Sequence, residues 1–169
     1  MAIRNIVTLG DDVLRKVCRT QLTFDSKLHT ILDDMKETVK KEEGAGLAAP
    51  QVAVLRRVVV MDCGDGLIEM INPEIISTEG EQDGPEGCLS VPGRRGMVKR
   101  PMIVRARFQD RNGEWHERTA EGFTARAFCH EIDHLDGHLF VERAEKMLSD
   151  EELEEYIRQM EEEMEEDED

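Results

Sequence analysis

Two histidines four residues apart, His130 and His134, enclose a glutamate at Glu131, and no other stretch of the chain is better suited to chemistry. On a helix, side chains four residues apart lie one turn above each other on the same face. Both imidazoles can then aim at one point, as a single transition-metal ion requires. Glu131 falls about 100° round the helix from His130, near enough to touch a water on that metal without ligating it. Such a water is acidified to a pKa of about 7, and the glutamate can carry its proton during hydrolysis. The plainer alternative is a surface helix bearing two unrelated histidines, in a chain with five histidines and many glutamates.

A catalytic metal of this kind has three protein ligands and one open position, so a third donor is needed. The extended protease pattern HExxHxxGxxH is met at Gly137 but puts Phe140 where its third histidine should be. Glu154 has the spacing of the downstream glutamate ligand of another protease class, in a tail so rich in glutamate that spacing says little. Cys129 adjoins His130 and is five residues from His134, on a different face of the helix. His138 follows the helix breaker Gly137 and reads as a surface residue. Cys88, in the run Pro85-Glu86-Gly87-Cys88-Leu89-Ser90, is chemically apt, because a thiolate binds divalent metals strongly and is deprotonated by them. With His130 and His134 it would leave a position for water. A tail glutamate in an endoprotease, or a fourth protein ligand closing a structural metal module, stays open as an alternative.

These residues need elements to hold them. After a short helical turn over residues 11–17, a helix is expected from Phe24, capped by Asp25 or Ser26 and stopping at Gly44, with Leu28, Ile31, Leu32, Met35 and Val39 on one face. The segment Gly44-Ala45-Gly46-Leu47-Ala48-Ala49-Pro50-Gln51 suits neither an ordinary helix nor an ordinary strand. Arg57–Asp62 and Leu67–Ile71 read as strands paired across Gly64-Asp65-Gly66, the second ended by Asn72-Pro73. Ile75–Thr78 is a further short strand, followed by a polar loop over Glu79–Gly84. Met102–Gln109 and Glu114–Thr119 flank the turn Asp110-Arg111-Asn112-Gly113, and Ala120–Leu135 is the histidine-bearing helix. A capping box at Ser149 and Glu152 starts a last helix with Leu153, Tyr156, Ile157, Met160 and Met164 on one side. The order predicts an α+β fold, mainly antiparallel sheet packed round the metal-bearing helix, with an N-terminal and a C-terminal helix.

A chain of 169 residues suffices for one domain with its own core, and with 4% aromatics that core must rely on Val, Ile, Leu and Met. No apolar run approaches the ~18–20 residues of a membrane span, and Met1-Ala2-Ile3-Arg4 does not open a secretory signal, so a cytoplasmic protein is expected. Cys18, Cys63, Cys88 and Cys129 form no Cys-x-x-Cys pair and no disulfide framework. The formal charge of −16 is uneven: residues 150–169 carry thirteen acids against one arginine, leaving the rest near neutral. Residues 1–148 are read as one catalytic domain and 149–169 as an acidic helix or tail, fraying from about residue 161. No basic stripe is present of the size DNA binding needs.

Three segments, Gly44–Gln51 (GAGLAAPQ), Glu86–Ser90 (EGCLS) and His130–Leu135 (HEIDHL), together resemble the bacterial peptide deformylases in order and spacing. Leu9–Arg15 and the Asp110–Gly113 hairpin are similar as well, and the resemblance spans roughly residues 3–148. It implies removal of the formyl group from formyl-methionine on new polypeptides, with Cys88, His130 and His134 on the metal and Glu131 as general acid and base. It implies oxyanion donors in the Gln51 side-chain amide and the Leu89 backbone N–H, each such donor lowering the barrier by about 3–4 kcal/mol. Gly46 would let a peptide approach as an added strand; Leu89, Phe123, Ala127 and His130 would line the methionine slot, and Glu86 would pair with Arg100. Fe2+ is the metal the resemblance implies first, with Zn2+, Ni2+ or Co2+ accepted by the same donors.

Three features depart from the family pattern. Cys129 stands where a glutamine is common, Ala45 where a larger aliphatic residue is common, and the acidic end is unlike the basic C-terminal helix by which some relatives dock on the ribosome. A net charge of −12 over residues 150–169 would be repelled by ribosomal RNA, so nascent chains are the expected partner without that docking mode.

Overall fold

The structure, a computed structural model, describes residues 2–168. Helix α1 (Ser26–Lys41) begins where Asp25 accepts a hydrogen bond from the Leu28 N–H at 3.1 Å, one of the four N–H groups a helix start leaves unpaired. Strands β1 (Gly46–Ala48), β2 (Val58–Asp62), β3 (Leu67–Glu79), β6 (Ile103–Gln109) and β7 (Trp115–Glu121) form an antiparallel sheet in the order β1-β2-β3-β6-β7. The continuous apolar run of β2 has a simple cause. Val58 and Val60 pack with Leu28, Leu32, Met35 and Val39 of α1, whereas Val59 and Met61 point to the opposite face. That second face packs against Ala125, Phe128 and Leu135 of α2 (Gly122–Leu135), so the strand is buried on both sides.

Strands β4 (Gln82–Cys88), β5 (Val91–Arg100) and β8 (Lys146–Leu148) make a second antiparallel sheet, order β4-β5-β8. Val91 and Val98 of that sheet form a small core with Phe140 from the one-turn helix α3 (Phe140–Arg143). Helix α4 (Asp150–Glu168) follows.

The α+β architecture is as expected, and several local expectations are corrected. Asn72-Pro73 does not end its strand. Asn72 takes φ 52° and the register to β6 slips between Ile71 and Glu74, so the pair forms a bulge and β3 continues to Glu79. The Asn72 side chain secures the bulge, donating to Gln21 O and Gln109 Oε1 and accepting from the Gln21 N–H. The expected Glu79–Gly84 loop shrinks to two residues, because β4 already begins at Gln82, whose amide donates to Pro101 O and Gly122 O. Strand β5 was hidden by the Gly93-Arg94-Arg95-Gly96 interruption of its alternation. Ala120 and Glu121 pair with Val104 and Ile103, so they complete β7 rather than start α2. Gly46–Ala48 does form a strand, and Ala49–Val52 a 3-10 turn.

Helix α4 extends from Asp150 to Glu168, past residue 161. Ser149 Oγ accepts from the Glu152 N–H at 3.1 Å while Glu152 Oε1 accepts from the Ser149 N–H at 3.2 Å, the reciprocal capping box. Asp150, Glu151 and Glu152 lie in the first turn, where negative charge meets the positive end of the helix dipole. Glu, Gln and Met are strong helix formers, and Glu155 bonds both Arg158 and Gln159 one turn on. None of the described residues of α4 is buried. No helix of the described residues is long and apolar enough to cross a membrane.

Candidate metal centre

Helix α2 carries the histidines through the middle of the molecule. Its C-terminal end is set by Gly137 at φ 80°, where a Cβ would lie 2.4 Å from Arg15 O. That close approach lets the chain near Arg15 cross the helix end, and the Cys18 N–H caps Leu135 O at 2.8 Å. On α2, His130 and His134 are both buried, with ring centroids 5.0 Å apart. Cys88, the last residue of β4, brings its Sγ to 3.4 Å from His134 Nε2. One ligand atom each from Cys88, His130 and His134 lie within 4.8 Å of one another. Among the described residues no fourth Cys, His, Asp or Glu joins that cluster.

The surroundings fit a metal ion. Glu131 is buried beside the cluster, Oε1 3.9 Å from His130 Nε2, and its Oε2 has no hydrogen-bond partner. A buried carboxylate oxygen left unpaired costs free energy unless something polar meets it there. Burial pushes the Glu131 carboxyl up to about 7, His130 pulling the other way and Glu86 adding to the rise. Burial lowers His134 well below the usual imidazole range, with the His130 and Arg100 charges acting in the same sense. Burial alone would lower His130 too, but its bonds to Cys88 and Glu86 override this and raise it to about 10.

Glu86 orients the first imidazole. Its Oε1 accepts from His130 Nδ1 at 2.8 Å, which leaves Nε2 of that ring to face the cluster. Arg100 donates to both Glu86 oxygens at 2.8 and 2.9 Å and to Asp133 at 2.7 Å, while Arg126 donates to Glu86 at 2.7 Å. Burial would raise the Glu86 carboxyl, yet Arg100 and His130 hold it at about 2. The Glu86–Arg100 pair is as expected. Arg126 and Asp133 were missed in the sequence, although Asp133 sits inside the HEIDH segment three residues after His130.

Gln51 is held just as firmly. Its Oε1 accepts from the Ala48 N–H at 2.9 Å, which fixes which end of the amide faces inward. Its Nε2 then donates to Ser90 Oγ at 3.1 Å and to Cys88 Sγ at 3.4 Å. The 3-10 turn after β1 is what delivers this side chain, so the small-residue segment serves to position it. Gly46 proves tighter than expected: a Cβ there would sit 3.1 Å from Cδ, Cγ and Oε1 of Glu131. Gly46→Ala is therefore expected to displace the Glu131 carboxylate, lowering kcat about tenfold or more while metal content stays normal. Comparing kcat and bound metal in the two proteins checks this.

Gln51, Gly46, Leu89, Phe123, Ala127, His130 and Glu131 all line one cleft with Cys88, of about 730 Å³. Ala127 and His130 are buried and Leu89 partly so, packing on the α1 cluster, but Phe123 is 60% exposed. The other donors weighed from the sequence fall away. Cys129 is buried in the core between α2 and the sheet, His138 is exposed and bonds Glu142, and Glu154 is exposed on α4. The endoprotease reading thus loses its third ligand. Asp110, Glu114 and His116 also have ligand spacing, on the β6–β7 hairpin, where Asp110 already bonds the His116 ring and the turn amides.

A helix-borne HExxH, a cysteine from a neighbouring strand and a buried glutamate beside the first histidine define the class of a metal-dependent hydrolase on an α+β fold. The sequence profile of polypeptide deformylases matches residues 3–150. The peptide deformylase of Caldanaerobacter subterraneus subsp. tengcongensis is 55% identical over 154 residues, 91% of this chain and 97% of that protein. The crystal structure of peptide deformylase from Thermotoga maritima superposes with a TM-score of 0.84 at 39% identity, covering 85% of this chain and 99% of that one. That of a peptide deformylase from Legionella pneumophila gives 0.82 at 40% identity, over 94% and 98%. The chain belongs to the peptide deformylase family, metal-dependent enzymes that remove the N-formyl group from newly made polypeptides.

Proposed function

We propose that Cys88, His130 and His134 hold one divalent metal ion and that Glu131 moves the protons of deformylation. The observation that carries this reading is the convergence of one sulfur and two imidazoles within 4.8 Å beside a carboxylate oxygen that has no other partner. A divalent cation bound there supplies Lewis acidity, drawing the pKa of water toward neutrality and polarising the formyl oxygen. Glu131 takes a proton from the attacking water and returns one to the leaving amine, so formate and a free N-terminus result. The amide N–H of Gln51 and the backbone N–H of Leu89 donate to the oxygen as it gains charge. Because Ala48 already holds the Gln51 amide by its oxygen, its N–H groups stay turned toward Cys88 and Ser90, and one of them is redirected to the oxygen as charge develops.

Leu89, Phe123, Ala127 and His130 receive the methionine side chain. The peptide backbone lies along β1, which pairs with β2 on one side only and leaves its other edge open at Gly46. Fe2+ is the metal proposed for the cell; a thiolate with two imidazoles also accepts Zn2+, Ni2+ or Co2+. Residues 1–148 form the catalytic unit and 149–169 an acidic appendage. Substrates are nascent chains met in the cytoplasm, with no docking of the acidic helix on RNA and no role at DNA or membrane.

The test is formate release from a formyl-methionyl peptide by anaerobically purified protein, with metal measured on the same sample. One metal per chain, and activity abolished by chelation and restored by Fe2+ or Ni2+, is the expected result. Undiminished turnover after complete metal removal would overturn it.

A further inference from the structure

The cleft bordered by Cys88, His130 and Glu131 has a wall for which the chemistry described so far has no use. Leu153, Tyr156 and Ile157 of α4 line the same 730 Å³ space as Cys88 and Glu131. Spaced i, i+3 and i+4, the three share one helical face. They do little for the helix itself: no described residue of α4 is buried, and Ile157 is 47% exposed. Phe123, another large apolar side chain left mostly in solvent, belongs to the same cleft.

The wall is firmly placed although none of its three side chains is fully buried. Strand β8 runs directly into α4 and pairs with β5 through Arg95↔Leu148 and Gly96↔Met147. Lys146 forms an ion pair with Glu152, the residue that also closes the capping box. Strand β5 in turn pairs with β4, which ends at Cys88. The start of α4 is thus tied, strand by strand, to the sheet that presents the sulfur. An extended chain advances about 3.3 Å per residue, so a substrate longer than its methionine has to leave the slot through the rest of this cleft.

We propose that Leu153, Tyr156 and Ile157 form a specificity surface for the residues that follow formyl-methionine, favouring apolar side chains there. This rests on the deformylase site described above and extends it to a part of the chain that carries no reacting group. Burial against the surface is a ground-state contact, so it should act on KM more than on kcat.

The experiment compares wild type with a Tyr156→Ser/Ile157→Ser variant on formyl-Met-Ala, formyl-Met-Ala-Leu-Leu and formyl-Met-Ala-Ser-Ser. For the leucine peptide kcat/KM is expected to fall about tenfold through KM, with the dipeptide and serine peptide unchanged within about twofold. Neither side chain is buried, Tyr156 being half-buried and Ile157 exposed, so their loss should leave the fold intact, and an unaltered dipeptide rate verifies that directly. Equal losses on all three peptides would make α4 a structural prop, and no loss on the leucine peptide would remove the contact; either overturns the proposal. If wild type releases no formate even from the dipeptide, it is the deformylase site itself that fails.

Discussion

Glu131→Gln is expected to lower kcat/KM for formate release by about 10²–10⁴-fold while the protein keeps one metal per chain. Glutamine preserves the size of a side chain already hemmed in by the Gly46 backbone, so the substitution changes proton chemistry and little else. The carboxylate is suited to the task by its burial, which draws its pKa to about 7, where it can both take and return a proton near neutral pH. Metal retention follows because the proposed ligand atoms belong to Cys88, His130 and His134 and not to Glu131. Steady-state formate assays with elemental analysis decide the matter. Near-normal turnover by the variant would assign the proton transfers to another group.

The second large effect is on stability. Glu86→Leu should destabilise the protein by about 3–5 kcal/mol, because it leaves the buried Arg126 without a carboxylate partner and Arg100 with Asp133 alone. Glu86 accepts from Arg100, Arg126 and His130 at once, and both arginines are buried with it. Removing the carboxylate also frees the His130 ring to turn, so metal affinity should fall about 10–100-fold. Urea unfolding of the metal-loaded protein, followed by a chelator competition, measures both. Arg105→Ala, which breaks the exposed Arg105–Glu117 pair, serves as the control and should change stability far less. Equal effects from the two substitutions would mean the buried network contributes no more than a surface pair.

The sequence made some of the site legible because helical spacing is local. His130 and His134 share a face by virtue of 3.6 residues per turn alone, and the 3-10 start at Asp12–Arg15, the β2–β3 turn and the capping box at Ser149 are equally local. Strand β5 and the Asn72 bulge were not legible. Arg94 and Arg95 interrupt an apolar alternation that only the neighbouring β4 and β8 restore, and Asn72-Pro73 is ordinarily a stop signal until Gln21 and Gln109 hold its side chain. The Arg126 bond to Glu86 spans forty residues and leaves no periodic trace.

Residue type and short-range spacing by themselves determined which atoms of this chain can ligate, carry protons and cap helices, since those properties belong to single side chains or single turns. Tertiary structure decided the rest: that Cys88 reaches the histidines, that Gly46 must lack a side chain because Glu131 lies against it, and that α4 borders the cleft. Each of these depends on distances of a few ångströms between segments far apart in the chain, which packing of α2 against one sheet and pairing within the other establish only when the whole core closes.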